Sequence, residues 1–342
     1  MMKLTLKPYS YEYNTPFQIS RERRTKQDAL LVGLSLDHST GWGELTTNSF
    51  YSVFCATAQE QIIDKQSLIE ETILEHPVSM YEKWLQLFPD QPFIRCALDE
   101  ACWDLYGRIN QKKTFQLIKS SDRIKNPSCF TLGIDDISKV IDGILAKPWP
   151  IYKLKMGKQN PVELVQEIRE ITNAQIFIDA NAAWNIQEAL RIIPQLAQLG
   201  ISMVEQPLAL EFEQDMIQLK DRLNTPLIAD ESFNDKQDLN KCADLYDGIN
   251  IKLQKIGGIT PAISTIKQAQ SMGLKVMIGC MTESSIGLSA AAQLASHADF
   301  IDLDSMLLIN NDPALGVTLH QGKVELADEF GNGFVVDSSI KI

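Results

Sequence analysis

Eight short apolar runs, each followed by a helical segment, fill the chain from about residue 128 onward. They read "SCFTLGI", "IYKLKMG", "AQIFIDAN", "ISMVEQP", "TPLIADES", "DGINIKL", "KVMIGCM" and "DFIDLDS". Between them lie amphipathic stretches such as "PVELVQEIREI" and "IQEALRIIPQLAQLG". Strands alternating with helices imply parallel βαβ units. Eight in succession imply an α/β fold of the (β/α)8 barrel type, and a span of roughly 200 residues fits its lower size range. The ends of five runs, at Lys155, Asp179, Glu205, Asp230 and Lys252, are 24, 26, 25 and 22 residues apart. That is a secondary-structure period and not a solenoid repeat.

Residues 1–120 follow another pattern. "KLTLKPYSYEY" and "ALLVGLSLD" alternate like strands, and the glycines of "TGWGE" signal a turn or loop. Residues 57–75 and 92–110 read as helices. In the second, Ile94, Ala97, Leu98, Ala101, Cys102 and Leu105 recur at helical spacing behind Pro92. The expected organisation is an α+β domain over 1–120, a barrel over 121–315, and a polar segment, 316–342, that packs back on the first domain.

Composition narrows the function class. The net charge of −12 argues against a nucleic-acid surface. No run approaches the roughly 20 apolar residues of a membrane span, and the N-terminus lacks a signal-peptide core. The six cysteines are scattered without a C-x-x-C pair, which reads as reduced thiols in a cytoplasmic protein.

In a barrel, active sites form at the C-terminal ends of the strands. Asp179, Glu205 and Asp230 would end three neighbouring strands. One such Asp is an ordinary helix cap, but three at equivalent positions would repel unless a cation joins them. Oxygen donors alone favour Mg²⁺, with Mn²⁺ as a substitute. Lys153 and Lys155 lie on strand 2 of the barrel and Lys252 on strand 6, diametrically opposite, so a substrate between them meets an amine on each side. A neighbouring cation and partial desolvation disfavour a charged lysine and are expected to lower its pKa. Asp302 and Asp304, two apart on a strand, share a face and suit an ammonium ligand.

"KLK", "DAN", "EQP", "ADES" and "INIKLQKIGGI" together resemble the muconate-lactonizing branch of the enolase superfamily, over nearly the whole chain. That superfamily uses a Lys or His base with Mg²⁺ stabilising an enediolate. The resemblance implies a modified barrel with an α+β N-terminal capping domain. It implies one Mg²⁺ per subunit on Asp179, Glu205 and Asp230, with Lys155 and Lys252 as acid/base residues and Lys153 tuning Lys155. "GCMTES" and "DLDS" are similar to dipeptide epimerases of the L-Ala-D/L-Glu type. This implies Asp302 and Asp304 on the substrate ammonium, and Thr131, Asn181 and Thr282 around a dipeptide. The expected reaction inverts the α-carbon of the second residue of an L-Ala-Xaa dipeptide. o-Succinylbenzoate synthesis, N-acylamino acid racemisation and cycloisomerisation share the scaffold and stay open. The loop "QISRERRTK" would face the second side chain, with Arg21, Arg23 or Arg24 as basic candidates and Glu22 disfavouring an acidic one. "KIGGI" reads as the turn that aims Lys252. The expected partner is a small-molecule dipeptide, with no nucleic acid and no membrane, and the sequence leaves homo-oligomerisation open.

Overall fold

The computed structural model describes residues 1–18, 23–156 and 160–338. Strands β1 (Lys3–Gln18), β2 (Arg23–Leu36) and β3 (Ser39–Thr46) form an antiparallel sheet in that order. One face of it carries Leu4, Leu30, Val32, Leu34 and Leu45, which bury against the helices that follow. The helix expected over 57–75 is instead two, Cys55–Asp64 and Gln66–Glu70, broken at Lys65. A further helix, Pro77–Leu87, is capped by His76.

"TGWGE" is not a turn; it lies inside β3. The helix Pro92–Ile109 presses directly on this strand. A Cβ on Gly41 would stand 2.2 Å from the Ala101 carbonyl oxygen, and one on Gly43 2.1 Å from that of Ala97. Glycine here marks close backbone approach, the other meaning of glycine in a strand. The same helix buries its expected apolar stripe and also Asp99, Glu100 and Asp104. It is wedged between the sheet and the helix Ile259–Ser271 of the barrel, so both of its faces are interior.

All eight apolar runs form strands: β4 (Phe130–Leu132), β5 (Ile151–Lys155), β6 (Gln175–Asp179), β7 (Met203–Glu205), β8 (Leu227–Ala229), β9 (Gly248–Lys252), β10 (Lys275–Gly279) and β11 (Phe300–Asp302). They pair in parallel in sequence order. The ring closes through the Ser128–Ile301 bridge, where the Cys129 amide donates to the Ile301 carbonyl at 2.9 Å.

Side-chain alternation then sorts every strand. Cys129, Ile151, Phe177, Met203, Ile228 and Met277 form an apolar plug, with Phe300 against it. Two residues further along the same inward face come Thr131, Lys153, Asp179, Glu205, Asp230 and Asp302. Tyr152, Leu154, Ile176, Ile178, Val204 and Ile251 take the opposite parity and pack in the core under the helices. Thus the polar layer rests on the plug at the C-terminal end of the barrel. After the barrel, the hairpin Thr318–Glu325 turns at Gly322 beside Pro127 and Pro150. Farther on, Gly331, Asn332 and Phe334 contact Asp104, Glu100 and Arg108 of the long cap helix.

Candidate active site

The barrel mouth and the cap sheet enclose a cavity of about 320 Å³. Lys155, Asn181, Asp230, Lys252, Thr131, Asp302, Asp304 and Thr282 all line it, joined by Arg24 from the cap. Lys153, Asp179 and Glu205 lie just beneath, each at most 1% exposed.

Lys153 is the centre of the buried layer. Its Nζ lies 2.7 Å from Glu205 Oε2, 2.7 Å from Asp302 Oδ2 and 3.1 Å from Asp179 Oδ2. Burial alone would push this lysine down, but the three carboxylates outweigh it and hold the ammonium well above the ordinary range. Lys155 reaches Asp179 Oδ2 at 2.5 Å, and Lys252 reaches Asp230 Oδ2 at 2.7 Å. Lys252 is also raised: burial opposes its charge, and Asp230 and Glu205 overcome that. The expected lowering by a neighbouring cation is therefore overturned at Lys153 and Lys252. At both, carboxylates within 2.7–3.1 Å outweigh burial, so attraction sets the sign.

The carboxylates divide in the same way. Burial disfavours the charge of Asp179, yet Lys155 and Lys153 draw its pKa down to about 2. Asp230 lies well below its ordinary value, because Lys252 and Lys255 overcome its burial. Burial and the nearby Asp179 raise Glu205 to about 7, since Lys153 divides its charge among three anions. Burial and Asp302 raise Asp304 likewise to about 7. The Thr131 amide donates to Asp304 Oδ2 at 2.5 Å.

Among the described residues, no group of three His, Cys, Asp or Glu side chains is arranged to hold a metal as it stands. Lysine ammonium groups lie against the three strand-end carboxylates. The donor chemistry nonetheless suits a hard divalent ion. Asp179 and Glu205 are direct neighbours across β6 and β7, and Asp230 follows β8 by one residue. Glu205 Oε2 is buried and receives no directed hydrogen bond, as is Asn181 Oδ1 at the cavity wall.

Around these groups stand residues that the sequence reading missed. Asn250 donates to Glu205 Oε1 at 2.8 Å; its place two before Lys252 on one strand face was the available signal. Gln206, with φ +36°, accepts from the amides of Asp230 and Ser232 at 3.0 and 3.1 Å. Lys255 bonds Asp230 from behind. Tyr13 and Thr282 join their hydroxyls at 2.7 Å across the cavity, cap to barrel. Arg24 donates to Gln27, which is itself bonded to the carbonyls of Asp28 and Thr47. Arg21 and Glu22 lie outside the described residues, as does the side chain of Arg23. In "KIGGI", a helical turn, Leu253–Ile256, directly follows Lys252. The glycines come later and face the cap: at Gly258, φ +121°, a Cβ would stand 2.5 Å from Asp99 Oδ2.

A capped (β/α)8 barrel with lysines on opposite walls and carboxylates between them fits the enolase superfamily, and relatives named epimerases make the chain an isomerase of it. Comparison with known proteins agrees. The family described as Enolase C-terminal domain-like matches residues 139–340. An L-Ala-D/L-amino acid epimerase of Maribacter sp. is 39% identical over 337 residues, 98% of this chain and 100% of that protein. A dipeptide epimerase of Cytophaga hutchinsonii, solved with Mg and D-Ala-L-Val, superposes with a TM-score of 0.93 at 22% identity, covering 99% of this chain and 97% of that one. One from Enterococcus faecalis, solved with Mg and L-Leu-L-Tyr, gives 0.88 at 28% identity, covering 97% and 99%. The chain belongs to the Enolase C-terminal domain-like family.

Proposed function

We propose that this isomerase is a Mg²⁺-dependent dipeptide epimerase, inverting the α-carbon of the second residue of an L-Ala-Xaa-type dipeptide. One observation carries the reading: Lys155 and Lys252 line a single cavity from barrel strands on opposite sides of the ring. In support, the curated relative is named an L-Ala-D/L-amino acid epimerase, and the solved neighbours are complexed with Mg and dipeptides.

The dipeptide's ammonium would sit against Asp304, which Thr131 orients, beside Asp302. Its α-carbon would lie between the two lysines. One lysine takes the α-proton and the other returns one to the opposite face, which inverts the centre. For either to act as base, its ion pair with Asp179 or Asp230 has to open. Lys153 faces the negative charge that builds on the substrate carboxylate as the proton leaves. Asp179, Glu205 and Asp230 would hold Mg²⁺, which when bound supplies further stabilisation of that charge. Arg24 reaches the cavity from the cap, where the second side chain would lie.

The test is α-proton exchange in D₂O, followed by mass spectrometry on L-Ala-L-Glu, L-Ala-L-Val and L-Ala-L-Lys. Deuterium should enter the second α-carbon only, with Mg²⁺ present, and the rates should rank the side chains. Retention of that proton through repeated turnovers of a productive dipeptide would sink the reading.

A further inference from the structure

Lys255 is 4% exposed and stands outside the cavity wall that Asp230 and Lys252 line. It follows the strand that carries Lys252, and its ammonium, 6.0 Å over the Phe233 ring, hydrogen-bonds to Asp230. Lys255 Nζ lies 2.7 Å from Asp230 Oδ1 and 2.6 Å from the Asp230 carbonyl oxygen. The Asp230 amide donates to Gln206 Oε1 at 3.0 Å. So the amide, the carbonyl and one carboxylate oxygen of Asp230 are all held from behind. Only Oδ2 is turned toward Lys252.

We infer that Lys255 is a positioning residue: it locks the Asp230 carboxylate so that one oxygen is presented to the divalent cation. This rests on the proposed Mg²⁺ site. A carboxylate free to rotate spends part of its time in geometries that cannot ligate, and ordering it at binding costs affinity. Outer-layer partners of metal ligands are typically worth about 10- to 100-fold in affinity or activity. No contact of Lys255 with the substrate is needed.

The experiment titrates Mg²⁺ alone, by calorimetry, into the wild-type chain, Lys255→Met, Asp230→Asn and the double variant. Lys255→Met is expected to weaken Mg²⁺ binding by about tenfold or more. On the Asp230→Asn background the same change is expected to add little, because the lysine acts through that carboxylate. A lysine that only supports the fold would lower the melting temperature and leave Mg²⁺ affinity unchanged. Wild-type affinity in folded Lys255→Met overturns the inference, as does an equal further loss on the Asp230→Asn background. If Lys255→Met does not fold, Lys255→Gln replaces it in the same cycle. A wild-type chain that binds no Mg²⁺ removes the metal reading itself, and this inference with it.

Discussion

The Lys153 ammonium and the Asp302 carboxylate meet at 2.7 Å inside the barrel, although 149 residues separate them in the chain. Lys153 also serves Glu205 and Asp179. One buried cation thus offsets charge from three strands, and its removal would leave three carboxylates crowded in a dry layer.

Lys153→Met is therefore expected to destabilise the Mg²⁺-free protein by about 3–5 kcal/mol, as for breaking a buried ion pair. Urea unfolding in EDTA measures it. Added Mg²⁺ should recover part of the loss. A variant as stable as the wild type in EDTA would mean the three carboxylates take up protons at little cost.

Lys252→Ala separates the two acid/base roles. Epimerisation should fall by about 10²- to 10⁴-fold, the usual worth of a positioned proton-transfer group. Deuterium should still enter the one epimer whose α-proton faces Lys155, without inversion. Exchange of both epimers at equal rates would remove the two-sided assignment.

Asp304 is the acid group oriented toward the cavity by Thr131, while Asp302 is already paired with Lys153. Asp304→Asn should lower kcat/KM for a dipeptide with a free N-terminus by about 10- to 100-fold, from the roughly 1.5–3 kcal/mol of a charged hydrogen bond. An N-acetylated dipeptide should be a poor substrate for both forms and change little. An equal proportional drop for both substrates argues against an ammonium at this site.

Asp99 gives the fold a pH dependence away from the site. It is fully buried under Gly258, and its carboxylate accepts from the Thr260 amide and hydroxyl at 2.8 and 2.7 Å. Burial raises its pKa to about 7, against the pull of those hydrogen bonds. The unfolded value is about 3.9. Between these two values the folded state holds a proton that the unfolded state has lost. Stability contributed here is therefore greatest below about pH 4 and declines as pH rises toward 7, by up to about 1.4 kcal/mol per unit. Asp99→Asn should flatten that segment of the stability curve. An unchanged slope in the variant would assign it to other groups.

Much of this protein was legible in its sequence because the signals were local. The period of apolar runs is set by strand and helix lengths, and it placed all eight barrel strands. Parity along a strand is equally local, so Lys153, Asp179, Glu205 and Asp302 could be put on the inward face with Ile151, Phe177, Met203 and Phe300. What the sequence could not carry were relations made through space. "TGWGE" signalled a loop until the helix Pro92–Ile109 was seen pressed against it, where glycine admits its backbone. The spacing of that helix showed only its apolar stripe, whereas packing of the helix on both sides also made Asp99, Glu100 and Asp104 interior groups. The lysines looked like a repelling pair. At Lys153 and Lys252 the charge was decided by the carboxylates each one reached, at distances of 2.7–3.1 Å. Electrostatic energy varies with separation and not with sequence position, so only the closed barrel could settle it.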